Sequence, residues 1–315
     1  MSLTIGVDVG GTKVAAGVVD PDAVIRQALE RPTPSTSADD TAEVIAALVA
    51  ELRSAYDVEA VGIGAAGFVD ESRAVVRFAP NLAWREEPLQ AEVARRTGLP
   101  VVVENDANAT AWAEARFGAG RGEEDLVAVT VGTGIGGGMV LGGRLYRGRY
   151  GVGAEFGHVR VVPNGRPCGC GNQGCWEQYA SGRALVRAAE ELAATSPELA
   201  RGLLSIRERQ GGGITGRSVT AAAIAGDAGA VSCFTTVGRW LGQGLADLAA
   251  VLDPGLFVIG GGVSAAGELL LGPARSAYAA ALTGRGHRPL AAIRPAELGP
   301  QAGLVGAADL ARNPC

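Results

Sequence analysis

Lysine, histidine and aromatic residues are scarce in this chain of 315 residues. Of its 28 basic residues only Lys13 is a lysine, and it lies inside a glycine turn. An arginine cannot always replace a compact ammonium group, so a lone lysine at such a place favours a functional role over chance. The basic residues form no run and the formal net charge is −5. We therefore expect neither a nucleic-acid partner nor a membrane partner.

Long apolar segments are also lacking. The longest uncharged run, residues 126–143, contains glycines and threonines that favour a buried strand and turn over a membrane span. The start of the chain has no basic region ahead of an apolar stretch and reaches an acid at Asp8. A secretory signal is therefore not expected, and the sequence predicts a cytoplasmic protein.

Glycine and apolar residues are plentiful, with 48 glycines and 47% hydrophobic residues. This composition can bury a sizeable core, and the length exceeds that of one ordinary domain. Apolar runs such as residues 101–103 alternate with helical patterns such as residues 107–117, which indicates an α/β fold. The glycine- and arginine-rich segment 201–217 is expected to be a surface loop.

Glycine turns follow apolar strands at three places, residues 8–13, 132–138 and 260–262. Glycines let backbone N–H groups converge on phosphate oxygens, although a tight hairpin would explain any single turn. Three such turns favour phosphate binding. Beside the first turn, Asp8 offers a carboxylate for Mg²⁺, while Thr12 and Lys13 offer a hydroxyl and a cation.

A polar segment, Glu104–Asn108, stands between an apolar strand and a helical pattern. Helix capping explains Asn105 and Asn108 about as well as any site does. Asp106 differs, because a carboxylate at a strand end can accept the proton of a hydroxyl that attacks phosphorus. No Ser-His-Asp arrangement that would supply an alternative nucleophile is apparent in the sequence.

Three cysteines, Cys168, Cys170 and Cys175, lie within a short glycine-rich segment, and His158 precedes them. Three thiols and one imidazole are the ligand set of a closed structural zinc site. A disulfide leaves one thiol over, and a redox role lacks the Cys-x-x-Cys helix start. Glu155 and Glu177 flank the cluster and, with His158, could present a rigid polar fringe to a polyol.

Several motifs together resemble the ROK family of repressors, open reading frames and kinases. They are Asp8-Val9-Gly10-Gly11-Thr12-Lys13, Glu104-Asn105-Asp106-Ala107-Asn108, the run at 132–138, Glu155-Phe156-Gly157-His158 and the cysteine segment from Cys168 to Glu177. The resemblance covers essentially the whole chain. It implies an α/β, actin-like ATPase or sugar-kinase (ribonuclease H-like) fold, with an active-site cleft between two lobes. The expected small lobe is residues 1–106 completed by a helix at 300–315, and residues 107–299 form the large lobe with the zinc site.

The resemblance also implies roles for individual residues, with Asp106 as the catalytic base. The expected hexose contacts are Gly67, Asn81, Asn105, Asp106, Glu155, His158 and Glu177. The expected contacts to ATP and Mg²⁺ are Asp8, Gly10, Gly11, Thr12, Lys13, Gly132, Thr133, Gly134, Gly261, Gly262 and Val263. His158, Cys168, Cys170 and Cys175 remain the expected zinc ligands.

The implied activity is transfer of a phosphoryl group from ATP to the 6-hydroxyl of glucose. N-acetylglucosamine, N-acetylmannosamine, fructose and mannose remain alternative substrates, since the same motifs serve them. A non-catalytic sugar-sensing regulator is less expected, because the first strand begins too early for a preceding helix-turn-helix segment. Members of this family commonly self-associate, so a homodimer or homotetramer is expected.

Overall fold

The computed structural model describes residues 2–210 and 212–313, and it divides into two compact units. The first unit contains Met1–Ala128, Gly137–Ala154 and Ala296–Cys315, of which Met1, Pro314 and Cys315 lie outside the described residues. The second unit contains Val129–Gly136 and Glu155–Pro295. A lobe boundary after Asp106 stays a prediction.

The strands alternate with helices through most of the chain. In chain order the strands are β1 (Thr4–Val9), β2 (Lys13–Val19), β3 (Ile25–Pro32), β4 (Ala60–Ala65), β5 (Phe68–Val69), β6 (Val76–Phe78), β7 (Arg85–Glu87), β8 (Val101–Asn105), β9 (Leu126–Val131), β10 (Ile135–Leu141), β11 (Arg144–Tyr146), β12 (Leu256–Gly260) and β13 (Ala292–Pro295). The helices are α1 (Ala38–Arg53), α2 (Leu89–Thr97), α3 (Asp106–Phe117), α4 (Glu177–Ala180), α5 (Gly182–Thr195), α6 (Arg201–Gln210), α7 (Gly216–Ile224), α8 (Ala228–Leu252), α9 (Glu268–Ala281) and α10 (Ala302–Arg312).

The sheet of the first unit has the strand order β3-β2-β1-β4-β8. Strands β1, β4 and β8 run parallel, whereas β2 and β3 form antiparallel hairpins at one edge. Every residue of β4 is buried, as expected for a parallel strand that is covered on both faces. Helix α10 packs on β1 and β4, while α1 packs on β2 and β3.

Glycines allow α10 to approach this sheet at backbone distance. A Cβ atom added at Gly62 in β4 would overlap the carbonyl oxygen of Ala307 in α10. A Cβ added at Gly306 would likewise overlap the carbonyl oxygen of Ala109 in α3. The absence of these side chains therefore lets helix α10 pack directly against β4 and against α3, the helix that begins at Asp106.

A second sheet has the strand order β11-β10-β9-β12-β13, and a small antiparallel sheet has the order β5-β6-β7. The chain passes into the second unit within β9 and leaves it again just before Gly137 in β10. Inside the second unit, the long helix α8 packs on α9, α5, α7 and α4. Its buried face includes Phe234, Leu241 and Leu245, which form part of that unit's core.

The segment 201–217 is largely helical, so the loop expected there was wrong for its described residues. Helix α6 covers its first ten residues, and α7 begins at Gly216. Thr215 starts α7 with a capping box, in which its side chain and that of Ser218 bond reciprocally to backbone N–H groups. These two capping hydroxyls favour a helix start at Gly216. Gly211 lies outside the described residues.

Among the described residues, no individual helix has both the length and the apolar character needed to cross a membrane. One bent pair, α7 with α8, satisfies that test together by length and composition alone.

Candidate active site and metal centre

The carboxyl ends of the parallel strands bring the first group of predicted residues together. Asp8 of β1 pairs in register with Gly64 of β4, and Gly64 pairs with Glu104 of β8. Burial raises the pKa of the Asp8 carboxyl above its ordinary value, and the nearby charge of Lys13 opposes that rise. A buried carboxylate of this kind is stabilised by a cation, which fits the predicted place of Mg²⁺.

The first glycine turn closes the hairpin between β1 and β2. The N–H of Gly10 donates to the carbonyl oxygen of Lys13 at 3.0 Å. The Nζ atom of Lys13 lies 2.6 Å from Oε1 of Glu30, and both side chains are more than half exposed. An exposed ion pair of this kind contributes little stability, so Glu30 leaves Lys13 available to a stronger anion. A Cβ added at Gly11 would lie 3.3 Å from the Cβ of Asn81, so these two predicted residues are neighbours.

Asp106 is the first residue of α3, directly after β8 ends at Asn105. The side-chain oxygen of Asn105 caps the helix by accepting from the N–H groups of Ala107 at 2.9 Å and Asn108 at 3.0 Å. Its amide group donates to the carbonyl oxygen of Gly67 at 3.1 Å. The helix-capping interpretation of Asn105 is therefore correct, and the cap also joins two predicted sugar contacts beside Asp106.

In the second unit, the two later glycine turns meet at the ends of β9 and β12. The N–H of Val263 donates to the carbonyl oxygen of Val131 at 3.0 Å, and that of Gly182 donates to Gly132 at 2.8 Å. Gly261 has φ of +87°, and a Cβ there would lie 2.5 Å from the Val131 oxygen. Only glycine fits this close approach without strain.

A cavity of about 1450 Å³ opens beside these turns within the second unit. Four of the predicted ATP contacts line it, namely Gly132, Thr133, Gly262 and Val263. Helices α5 and α7, with the N-cap residue of α7, supply further lining residues that the sequence did not indicate, among them Arg183, Glu190, Thr215, Ser218, Ala221 and Ile224. Thr215 and Ser218, which form the capping box of α7, were a sequence signal for the start of that helix.

The four predicted zinc ligands converge in the second unit. The ligand atoms of His158, Cys168, Cys170 and Cys175 all lie within 4.8 Å of one another. The Sγ atom of Cys168 is 3.6 Å from Nδ1 of His158. Zinc–sulfur bonds of about 2.3 Å in a tetrahedron place ligand atoms roughly 3.8 Å apart, so the spacing fits a zinc ion.

Glycines and backbone bonds shape the loop that carries these cysteines. The N–H of Cys168 donates to the carbonyl oxygen of Asn172 at 2.8 Å. Gly171 and Gly174 have φ of +92° and +77°, which lets the chain turn back on itself within a few residues. Burial, together with hydrogen bonds to the two neighbouring thiols, raises the pKa of the Cys175 thiol to about 12. Metal binding at this site therefore has to displace thiol protons.

Glu155, His158 and Glu177 lie together beside the cysteines. The N–H of His158 donates to the carbonyl oxygen of Glu155 at 3.1 Å, at the start of a single helical turn. The Cys168 thiol donates to Oε1 of Glu177 at 3.0 Å. Burial raises the pKa of Glu155; His158 opposes this rise and Glu177 adds to it. A hydroxyl-rich ligand would find several acceptors here.

A family model described as the ROK family matches residues 4–313. The chain belongs to the ROK family. It is 52% identical over 314 residues to a glucokinase of Streptomyces coelicolor, covering 100% of this chain and 99% of that protein. It is 40% identical to a glucokinase of Thermotoga maritima, over 86% of this chain and 85% of that one.

A solved structure of a ROK family glucokinase from Streptomyces griseus, in complex with glucose and AMPPNP, matches with a TM-score of 0.89. The two chains are 56% identical, and the match covers 99% of each. The expected α/β fold of the actin-like, sugar-kinase type is confirmed for this ROK chain. The roles of its individual site residues stay predictions.

Proposed function

We propose that this chain is a glucokinase, which transfers the γ-phosphoryl group of ATP to the 6-hydroxyl of glucose. The observation that carries the proposal is similarity over the full length to a ROK glucokinase that binds both glucose and AMPPNP. The Streptomyces coelicolor glucokinase supports the same activity at 52% identity. Within this chain, the polar residues around Asp106 and around the cysteine loop supply the groups that such a reaction needs.

Asp106 is the proposed general base. Its place at the carboxyl end of a parallel sheet lets one carboxylate oxygen accept the proton of the sugar hydroxyl as that oxygen attacks the γ-phosphorus. The bond from the γ-phosphorus to the bridging oxygen then breaks, and ADP leaves. Asn105 and Gly67 are joined by a hydrogen bond, and we propose that they hold the sugar beside this carboxylate.

The nucleotide is proposed to occupy the cavity next to Gly132 and Val263, with its phosphates on the glycine turns. The first turn, with Thr12 and Lys13, is the proposed partner of the phosphates that carry the reacting group. Asp8 would hold Mg²⁺, which when bound neutralises phosphate charge. Gly10, Gly11, Gly134, Gly261 and Gly262 complete the proposed nucleotide contacts.

His158, Cys168, Cys170 and Cys175 are proposed to hold one structural zinc ion. A tetrahedral site with four protein ligands leaves no open position, so the metal would fix the loop and take no part in phosphoryl transfer. The segment fixed in this way carries Glu155 and Glu177, which we assign with His158 and Asn81 to the sugar. Self-association into a homodimer or homotetramer stays a prediction.

The purified protein should be assayed with ATP and Mg²⁺ against glucose, mannose, fructose, N-acetylglucosamine and N-acetylmannosamine. We expect the highest kcat/KM with glucose and, by phosphorus NMR of the product, a phosphate at the 6-position. A higher kcat/KM with another sugar would support sugar-kinase activity but show that glucose is not the preferred substrate. No ADP formation with any sugar, in folded protein that contains zinc, would contradict the proposal.

A further inference from the structure

A buried carboxylate, Glu104, stands two residues before Asp106 and is 1% exposed. Its Oε1 atom accepts from the backbone N–H of Asn105 at 2.9 Å and from the side-chain amide of Asn108 at 3.1 Å. Asn105 and Asn108 stand on either side of Asp106 in the sequence. One carboxylate oxygen therefore holds the chain both before and after the proposed base.

Two arginines hold the other oxygen of Glu104. Its Oε2 atom lies 2.7 Å from Nε of Arg147 and 3.1 Å from Nε of Arg73, and these arginine side chains are only 10% and 11% exposed. Neither contact with this oxygen has hydrogen-bond geometry, so charge attraction holds both arginines to Glu104. The guanidinium of Arg147 also donates to the carbonyl oxygens of Asp70 at 2.8 Å and Glu71 at 3.1 Å. The polar segment is thus tied to a turn outside β8.

The buried ion pairs of Glu104 with Arg73 and Arg147 are an inefficient way to stabilise a fold. Removing charges from water can cost more than their mutual attraction returns, so buried ion pairs are weak evidence for stability. Arg73 also has φ of +59°, a left-handed conformation that a residue with a side chain adopts at a cost. Strained backbone conformations cluster at active sites and ligand clamps, where a fixed geometry is part of the function.

We propose that Glu104, held by Arg73 and Arg147, is a positioning residue that fixes the carboxylate of Asp106 for proton transfer. The proposal rests on the proposed function, because it requires Asp106 to be the base. Glu104 does not touch the reacting atoms in this scheme, and it acts through the N–H of Asn105 and the side chain of Asn108. A misplacement of about 1 Å in a catalytic group can cost about 100-fold in rate.

A double-mutant cycle between Glu104→Gln and Asp106→Asn tests this role. Glu104→Gln keeps the shape and one acceptor oxygen but removes the charge that faces the two arginines. We expect it to lower kcat by about 10- to 100-fold in the wild-type background. In the Asp106→Asn background the same change should alter kcat by less than about twofold, because a base that is gone cannot be misplaced.

The matched control is Glu51→Gln, which removes an exposed carboxylate that pairs with Arg31. It should leave kcat unchanged in both backgrounds. If Glu104→Gln yields too little folded protein, Arg147→Lys and Arg147→Met replace it in the cycle. The lysine keeps the charge opposite Glu104, so its loss of kcat should be smaller than that of the methionine variant.

Losses of kcat that multiply in the double variant would overturn the positioning role and leave the base assignment standing. An unchanged kcat in Glu104→Gln would do the same. Near-normal turnover of Asp106→Asn alone would overturn the base assignment, and the positioning role with it. The single variants therefore separate failure of the proposed function from failure of this inference.

Discussion

The Sγ atoms of Cys170 and Cys175 lie 3.6 Å apart. A disulfide bond is about 2.0 Å long, whereas two thiolates on one zinc ion are separated by roughly 3.8 Å. Both cysteines are free, as is Cys168. The spacing of these two sulfur atoms therefore fits two ligands of one metal ion and is too long for a disulfide bond between them.

Metal content follows directly from this geometry. The purified protein should contain about one zinc ion per chain, measured by plasma emission spectroscopy. Cys170→Ser should lose the metal and lower the thermal unfolding midpoint, because a hydroxyl is a poor zinc ligand and the loop loses its clamp. Cys233→Ser changes a buried cysteine of α8 outside the cluster and should keep the metal. Full zinc occupancy in Cys170→Ser would contradict the assignment.

The proposed binding of ATP in the cavity beside α5 and α7 can be tested by filling that cavity. Ala221 is an exposed residue of α7 that lines this cavity, so Ala221→Trp should fill space that ATP needs. We expect the KM for ATP to rise by about tenfold or more, while the KM for glucose changes little. Steady-state kinetics with each substrate varied in turn measures both constants.

Ala194→Trp is the matched control, since Ala194 is an exposed residue of α5 that does not line the cavity. It should leave both KM values unchanged. Equal KM values for ATP in Ala221→Trp and the unaltered protein would place the nucleotide elsewhere.

The lowered pKa of Asp20 predicts that the stability of the fold depends on pH. Burial alone would raise the pKa of Asp20, but hydrogen bonds from the N–H of Val24, from Arg26 and from the N–H of Asp22 outweigh it and hold that pKa below its ordinary value. A lowered pKa stabilises the fold above the unfolded pKa of about 3.9, and this contribution is lost as the pH falls through the folded pKa. Asp20→Asn should therefore be less stable at pH 7, by a margin that shrinks below about pH 4.

Chemical denaturation of both proteins at several pH values measures that margin. Asp22→Asn removes an exposed carboxylate from the same turn, and we expect its free energy of unfolding to stay within about 0.5 kcal/mol of the unaltered protein. A margin for Asp20→Asn that stays constant from pH 7 to pH 3 would show that the charge of Asp20 contributes nothing.

The sequence could predict the elements and sites whose residues lie close together in the chain. Strand β1, its glycine turn and β2 follow one another directly, so hydrophobic pattern and turn chemistry were enough to identify them. Cys168, Cys170 and Cys175 could be identified as predicted zinc ligands for the same reason. In each case the residues that determine the structure are near one another in the chain.

Long-range relationships were not predictable from these patterns. The contact between Glu104 and Arg147 joins residues far apart in sequence, and no periodicity marks either as a partner. Arg183 and Ala221 reach one cavity because α5 and α7 pack together. The start of α7 within segment 201–217 was missed because glycine-rich composition was given more weight than the capping hydroxyls of Thr215 and Ser218.

The most direct measurement is steady-state kinetics of Asp106→Asn with ATP and glucose. The amide keeps the size of the side chain and one acceptor oxygen for the N–H of Ala107, but it cannot accept the sugar proton. We predict a fall in kcat of about 100-fold or more with a modest change in the KM for glucose. Asp40→Asn, at an exposed position in the first turn of α1, should turn over normally. Near-normal turnover of Asp106→Asn would mean that this side chain only starts its helix, and it would contradict the proposed mechanism.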